Sequence, residues 1–280
     1  MDILLGMRIL PLLFVLAAAP AIGTPICPAP LHAGASDLGL ASFREDDRVS
    51  GAAIDVLREL ARRTNCPLNI SWYPRARLWA EYATGRINLT ASSARSAERD
   101  RFGQFVPFVT TRFDLVLSRR VPGNFTSLAE FVEHGSARLN LVRGILYTSE
   151  VLGQVERLRQ QGRVEVVNDF DIAFRKMASK RAEATLAPMT IYSRHLQNTG
   201  LQDLVSVMPV TESAPVLAGA YLSRDGLAPA ARKVFADALL GMVADGSVAR
   251  IYGKYVGEAN GRALVPDHGR AIISAYQLLP

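Results

Sequence analysis

Apolar residues recur at helical spacing from Ala52 to Arg63, where Ile54, Leu57, Leu60 and Ala61 predict an amphipathic helix behind the turn Val49-Ser50-Gly51. Leu68 to Trp72 alternates as a strand, Pro74 opens a second helix over Arg75 to Thr84, Gly85 stops it, and Ile87 to Ala91 alternates again. With a leading strand from Leu31 that enters a loop at Ser36-Asp37-Leu38-Gly39, the order predicts α/β architecture with a parallel sheet. After the turn Pro122-Gly123 the rhythm repeats, with strands over 113–117, 139–142, 164–167 and 182–186 and helices over 127–134, 148–161, 171–179 and 190–198. A strand over 217–222 precedes the clearest helix, whose apolar positions are Ala231, Val234, Phe235, Ala238, Leu239, Met242 and Val243, and which Asp245-Gly246 stops. Val248, Ile251, Tyr252 and Tyr255 carry a last short helix, and the tail from Glu258 shows no period.

The stretch Gly85 to Phe108 holds the candidate chemistry. Its strand breaks at Ser92-Ser93, whose small hydroxyl side chains let a ligand approach the backbone, and Ser96 is a favoured N-cap for the residues that follow. A strand end running into a helix start presents free N–H groups and the positive end of a helix dipole. Arg99 adds a guanidinium fork suited to a carboxylate, so the stretch reads as an anion pocket, against the plainer reading of a surface Arg beside Arg95 and Arg101.

The chain has 280 residues, 49% of them hydrophobic and 21% charged, enough for a full core split into two lobes. Its net charge of +6 comes almost wholly from Arg, yet no Lys/Arg block with interleaved aromatics points to nucleic acid. Ile9 to Ala19 is an apolar run after Arg8, and Ala21-Ile22-Gly23 supplies small residues, so residues 1–23 read as a signal peptide cleaved near Gly23, with Met1 or Met7 as the start. Ile26-Cys27 lacks the small residue that lipoprotein processing prefers, and the mature chain is expected to be periplasmic. An oxidising compartment favours a Cys27–Cys66 disulfide over two free thiols. No metal site or cofactor is expected; His32, His134, His195 and His268 read as surface or helix-end residues, and the sequons at Asn69, Asn88 and Asn124 as chance.

Three motifs in one order resemble the bacterial extracellular solute-binding proteins of family 3. Ser50-Gly51-Ala-Ala-Ile-Asp55 before a helix is similar to the family's Gly-hydrophobic-Asp start. Gly85-Arg-Ile-Asn88, Ser96-Ala-Glu-Arg99 and Phe105-Val-Pro107-Phe108 are similar to its Gly-x-x-Asp, Thr-x-x-Arg and Phe-x-x-Pro-aromatic run. Asp245-Gly246-Ser247, Ile251 and Lys254-Tyr255 resemble its closing motif. The resemblance covers roughly Ala33 to Val256 and implies a two-lobed periplasmic-binding-protein fold (type II) with two crossing hinge strands. It implies one lobe over 24–110 and 216–257, a second over 111–215, and a tail over 258–280. Arg99 matches the arginine that grips a ligand's carboxylate, Ser92 and Ser93 a hydroxyl position, and Asp37 the pocket-lining first loop. Trp72 and Arg75 would form a wall, Trp72 being equally a core aromatic. Arg143-Gly144 to Thr148 fits a strand-to-helix turn offering N–H groups, with Tyr147 in the pocket or in packing.

The departures narrow the ligand. Pro188 stands where the family's amino-acid binders carry the Asp that pairs with an ammonium, Ala94 stands at a second hydroxyl position, and Arg95 replaces an apolar residue. A buried ammonium without its counter-charge is costly. The expectation is a monomeric, non-enzymatic binder of a small carboxylate, feeding an inner-membrane ABC permease, with a ligand-sensing accessory of a membrane receptor as the alternative. A cyclohexadienyl-dehydratase-like enzyme on the same fold is the third reading; no Gly-x-Ser-x-Gly or His-Glu-x-x-His motif supports it.

Overall fold

A computed structural model describes residue 27 and residues 30–279, so the expected leader over 1–23 lies outside the described residues. The chain begins with β1 (Leu31–Ala35), a hairpin of β2 (Phe43–Glu45) and β3 (Arg48–Ser50), α1 (Ala52–Thr64), β4 (Leu68–Trp72), α2 (Arg75–Ala83) and β5 (Leu89–Thr90). It continues through β6 (Ser93–Ala94), α3 (Ala97–Asp100) and β7 (Gly103–Thr111). β1 lies between β4 and β5 and is parallel to both, as the alternating strand–helix order predicts. α1 forms where expected and buries Ile54, Leu57 and Leu60 completely, each contributing roughly 1.5–3 kcal/mol.

A second sheet follows, built from β8 (Asp114–Ser118), α4 (Leu128–His134), β9 (Leu139–Val142), α5 (Ser149–Gln160), β10 (Val164–Val167), α6 (Phe170–Ala178), β11 (Ala184–Ala187), α7 (Met189–Thr199) and β12 (Val205–Pro209). Its strand order is β10-β9-β11-β8-β12. The chain then returns to the first sheet as β13 (Val216–Ser223), followed by α8 (Pro229–Ala244), α9 (Ser247–Val256), α10 (Glu258–Ala263), a 3-10 turn over Pro266–Gly269 and α11 (Arg270–Gln277).

The two sheets are joined where β7 runs into β8 and where β12 returns to β13. β7 and β13 pair antiparallel from Val216–Thr111 to Ser223–Gly103, with a register shift at Ala218/Gly219. Pro107 sits at this irregularity, on the strand at the rim, where a missing N–H does least harm. A Cβ at Gly219 would lie 2.0 Å from the Val106 carbonyl oxygen, so only glycine lets the two strands meet there.

Several elements differ from the sequence reading, which has no strand at β7 or β12. Residues 43–50 form a hairpin and not a lone turn; half of its strand residues are charged, and its two apolar ones, Phe43 and Val49, fall on opposite faces, so no periodicity reveals it. α3 is a single turn of four residues, so its dipole is small and the anion site rests on side chains. The tail folds into helices. Thr110 donates its N–H to the Leu264 carbonyl (2.7 Å), and Gln104 donates to the Tyr276 hydroxyl (2.7 Å), which binds the tail along β7.

Cys27 and Cys66, 39 positions apart in sequence, form a disulfide that ties the chain before β1 to the loop after α1. A loop of that length predicts about 3–4 kcal/mol of stabilisation. Reduction of the folded protein should therefore lower its melting temperature by roughly 5–10 °C. An unchanged melt, with both thiols open to alkylation, would show that the bond does not form in solution.

Candidate ligand-binding site

The carboxyl ends of β1, β4 and β5 all open on one side, where ligands of parallel sheets bind. From them come Ser36 to Leu38, Tyr73 to Arg75, and Ser92-Ser93 respectively. Arg75, in the first turn of α2, is buried; its Nη1 donates to Ser36 Oγ (3.0 Å) and to the Ser92 carbonyl (3.2 Å), and its Nε has no partner. Arg99 is also buried, and its Nη1 donates to Ser93 Oγ and to the Ala94 carbonyl (3.1 Å). Its Nη2 reaches across to the Gly144 carbonyl at 3.3 Å.

Trp79 organises both cations. It lies one turn beyond Arg75 on α2, and its ring centroid is 3.6 Å from the Arg99 guanidinium carbon and 5.4 Å from that of Arg75. Tyr82 and Tyr221 hold the indole edge-on, each with its centroid 5.7 Å away. Tyr221 also braces the loop carrying Arg99: its hydroxyl accepts from the Ser96 N–H (2.9 Å) and donates to Asp100 (2.8 Å). Ser96 caps α3 by accepting the Arg99 N–H, as the sequence predicts. Trp79 escaped the sequence reading, although its i,i+4 spacing from Arg75 was the available signal.

The second sheet supplies the opposite wall through Ile145 and Leu146 after β9 and Pro188, Thr190 and Ile191 at the start of α7. The junction between the sheets adds Phe113 and Val216, and the tail adds Leu264. The cavity has about 80 Å³ of free volume and adjoins a second cleft that shares Arg75 and Ile145 with it. Of the expected residues, Arg75, Ser92, Ser93, Arg99 and Pro188 line it together. Gly144 abuts it, turning its carbonyl toward Arg99, where an N–H toward a ligand was expected. Asp37 and Trp72 line an adjoining cleft. Arg143 is exposed and lines neither space, while Tyr147 packs on Phe113 with centroids 4.8 Å apart.

Electrostatically the cavity is one-sided. Its described lining contains two arginines and no Asp or Glu. Burial pushes the Arg75 guanidinium down to about 9, with the Arg99 charge adding to the effect, and burial pushes Arg99 down to about 10. Both remain cationic at neutral pH. The nearest strand position to Pro188 that bears an acid is Asp114, paired with Ala187, but it lies outside the lining and contacts Arg112 at 3.4 Å. Burial raises its carboxyl above the usual range.

The lobes meet closely beside the cavity. The Leu40 N–H donates to the Thr190 carbonyl (2.6 Å), and Arg194 pairs with Glu45 (2.9 Å) while covering the Phe43 ring. His195 is buried, contrary to the surface position expected of it. It stacks on Phe174 with centroids 5.1 Å apart and places Nε2 3.1 Å from Asp37.

The sequence matches the bacterial extracellular solute-binding proteins, family 3, over residues 39–258. The chain belongs to this family. No curated protein matches it. Among solved structures it is similar to an ancestral arginine-binding protein bound to arginine, at 16% identity and a TM-score of 0.69 over 81% of this chain and 98% of that one. A histidine kinase sensor domain with similarity to periplasmic binding proteins gives 15% identity and 0.65 over 81% and 96%. An ancestral amino-acid-binding protein described as a precursor of cyclohexadienyl dehydratase gives 16% and 0.67 over 81% and 95%. At these identities the likeness establishes the two-lobed binding-protein fold alone. The family match ends before Leu264, so one wall of the cavity comes from beyond it.

Gly39 has a φ of +57°, and a Cβ there would lie 2.4 Å from the Thr190 carbonyl oxygen. Gly39→Ala should therefore wedge the lobes apart and lower stability by about 1–2 kcal/mol from the left-handed backbone alone. Small-angle scattering should show a larger radius of gyration. An unchanged radius and melt would mean that the lobes do not meet at Gly39 in solution.

Proposed function

We propose that the protein captures a small carboxylate-bearing ligand between its lobes and delivers it to an inner-membrane ABC permease. The observation that carries this reading is the cavity with two buried guanidiniums and no acidic side chain. A desolvated cation with only neutral oxygens around it favours an anion strongly. The lobes run over 24–110 with 216–257 and over 111–215, and Arg99 is the principal carboxylate anchor, set by Ser93, Trp79 and the Gly144 carbonyl. Ser92 holds Arg75, and Pro188 closes the opposite side. Periplasmic placement rests on the leader-like residues 1–23, the Cys27–Cys66 bond and membership of an extracellular family. The protein acts as a monomer.

Binding without catalysis fits the lining better than a dehydratase does. General acid–base chemistry needs a titratable group within hydrogen-bond reach of the substrate. Among the described residues around the cavity stand no His, Asp, Glu or Cys, and the one phenol, Tyr252, is held well above its ordinary pKa by burial. A sensing role for a membrane receptor is the second reading, favoured by the sensor-domain likeness. Neighbouring permease genes or a neighbouring kinase gene separate the two.

A thermal-shift panel of small organic acids and amino acids, followed by calorimetry, tests the site. A ligand at 100 times its Kd should add about 2.7 kcal/mol. Arg99→Met should weaken every carboxylate that binds by about 2–5 kcal/mol. Equal affinity in the variant would place the anion site elsewhere.

A further inference from the structure

We propose that the ligand is a compact dianion without an ammonium group, its two negative charges received at one end by Arg75 and Arg99 together. This specifies the charge of the ligand and rests on the carboxylate-binding reading above.

Charge balance carries the inference. Arg99 is satisfied only by neutral acceptors, namely Ser93 Oγ and the carbonyls of Ala94 and Gly144. Arg75 is held only by Ser36 Oγ and the Ser92 carbonyl, and its Nε is unpartnered. Both guanidiniums bear on the one Trp79 ring, so a ligand head that meets the first also lies within the field of the second. A single carboxylate would leave one uncompensated cation in a medium of low dielectric, whereas two negative charges balance the site. The Arg75 stem is fixed as well: it lies against Gly144, where a Cβ would be 3.2 Å from Arg75 Cγ. Arg75 is therefore a preset second anchor.

The same accounting excludes an ammonium. Pro188 offers no charge, and Asp114 lies outside the lining beside Arg112. Asp37 faces His195 in the adjoining cleft. An ammonium would add a third buried positive charge with nothing to meet it. The rest of the ligand is short and mainly apolar, because aliphatic and aromatic side chains such as Ile145, Leu146 and Leu264 form most of the remaining wall, with Thr111, Thr190 and Tyr252 as its polar points. A water needs about 10–15 Å³ on this scale. The 80 Å³ available thus suits a ligand the size of a small diacid and not a long side chain.

Calorimetry with matched probes tests this: succinate against butyrate, methylmalonate against isobutyrate, L-aspartate against succinate, and methylphosphonate in mildly alkaline buffer. Each is titrated into the native protein and into Arg75→Met, Arg75→Lys and Arg99→Met, whose unligated melts confirm folding. At least one dianion should bind about tenfold or more tighter than its monoanionic partner, and aspartate should bind about tenfold or more weaker than succinate. Arg75→Met should weaken the dianion about tenfold or more beyond whatever it costs the monocarboxylate, so that the dianion preference collapses, and Arg75→Lys should keep part of it. Preference for methylphosphonate over every dicarboxylate would assign the dianion to a phosphonate-type head and support the proposal. Monoanions as tight as dianions, aspartate as tight as succinate, or no dianion bound at millimolar concentration would overturn it. If such monoanions still depend on Arg99, the carboxylate reading survives alone. If Arg99→Met changes nothing, that reading fails with it.

Discussion

Two guanidiniums share one indole ring in this protein, and the hydrogen bonds that hold them run to neutral oxygens and not to a carboxylate. Arg99 lies flat over Trp79 and Arg75 approaches the same ring from one turn earlier on α2. Burying a charge is costly unless its donors are satisfied, and here neutral oxygens and a π-face meet all the fully buried donors but the Arg75 Nε. The surroundings are built to hold these oxygens in place. Tyr221, fully buried on β13, fixes the loop before α3, while Ser36 and Ser92 leave β1 and β5 at the same level to hold Arg75.

The clamp belongs to the first lobe, but its completion requires the second. Gly144 donates no N–H here; its carbonyl accepts from Arg99 across the cleft. The tail adds a further constraint, because the Leu264 carbonyl is bound to Thr110 on β7, two residues before the chain passes into the second lobe. A segment with no readable period thus both fastens a linking strand and presents the Leu264 side chain to the cavity. Chain beyond the family match contributes a side chain to the cavity wall.

Much of this was legible in the residues. The alternating strand–helix rhythm fixes the parallel part of each sheet, β4-β1-β5 and β10-β9-β11, but not the antiparallel strands β8, β12 and β13 that join them, and Ser92, Ser93 and Arg99 meet in one cavity as the stretch from Gly85 to Phe108 implied. What escaped follows a physical pattern. The hairpin over 43–50 is charged on both faces, so hydrophobic periodicity is silent about it. β7 carries Pro107 inside a strand, which a local reading discounts because proline lacks a donor. Trp79 reads as a core aromatic until Arg99, twenty residues later, is brought onto its face. His195 looked peripheral because its burial depends on Phe174, a neighbour on another helix. Properties set by the chain's own period were readable; those set by partners far along the chain were not.

On the proposed reading, the clamp would also link ligand charge to lobe closure. Bringing Gly39 against Thr190 and Ile145 toward Arg99 strips water from two cations at once, and that step opposes closing. An anion removes the opposition by supplying the missing charge, so its affinity for the closed arrangement exceeds its affinity for the open one. Only such a difference can shift a two-state equilibrium. A zwitterion would offset one charge while introducing another, and would gain less from closing. In a site whose walls are mostly aliphatic, discrimination therefore arises less from direct readout of the ligand's body than from whether its charge makes closure favourable.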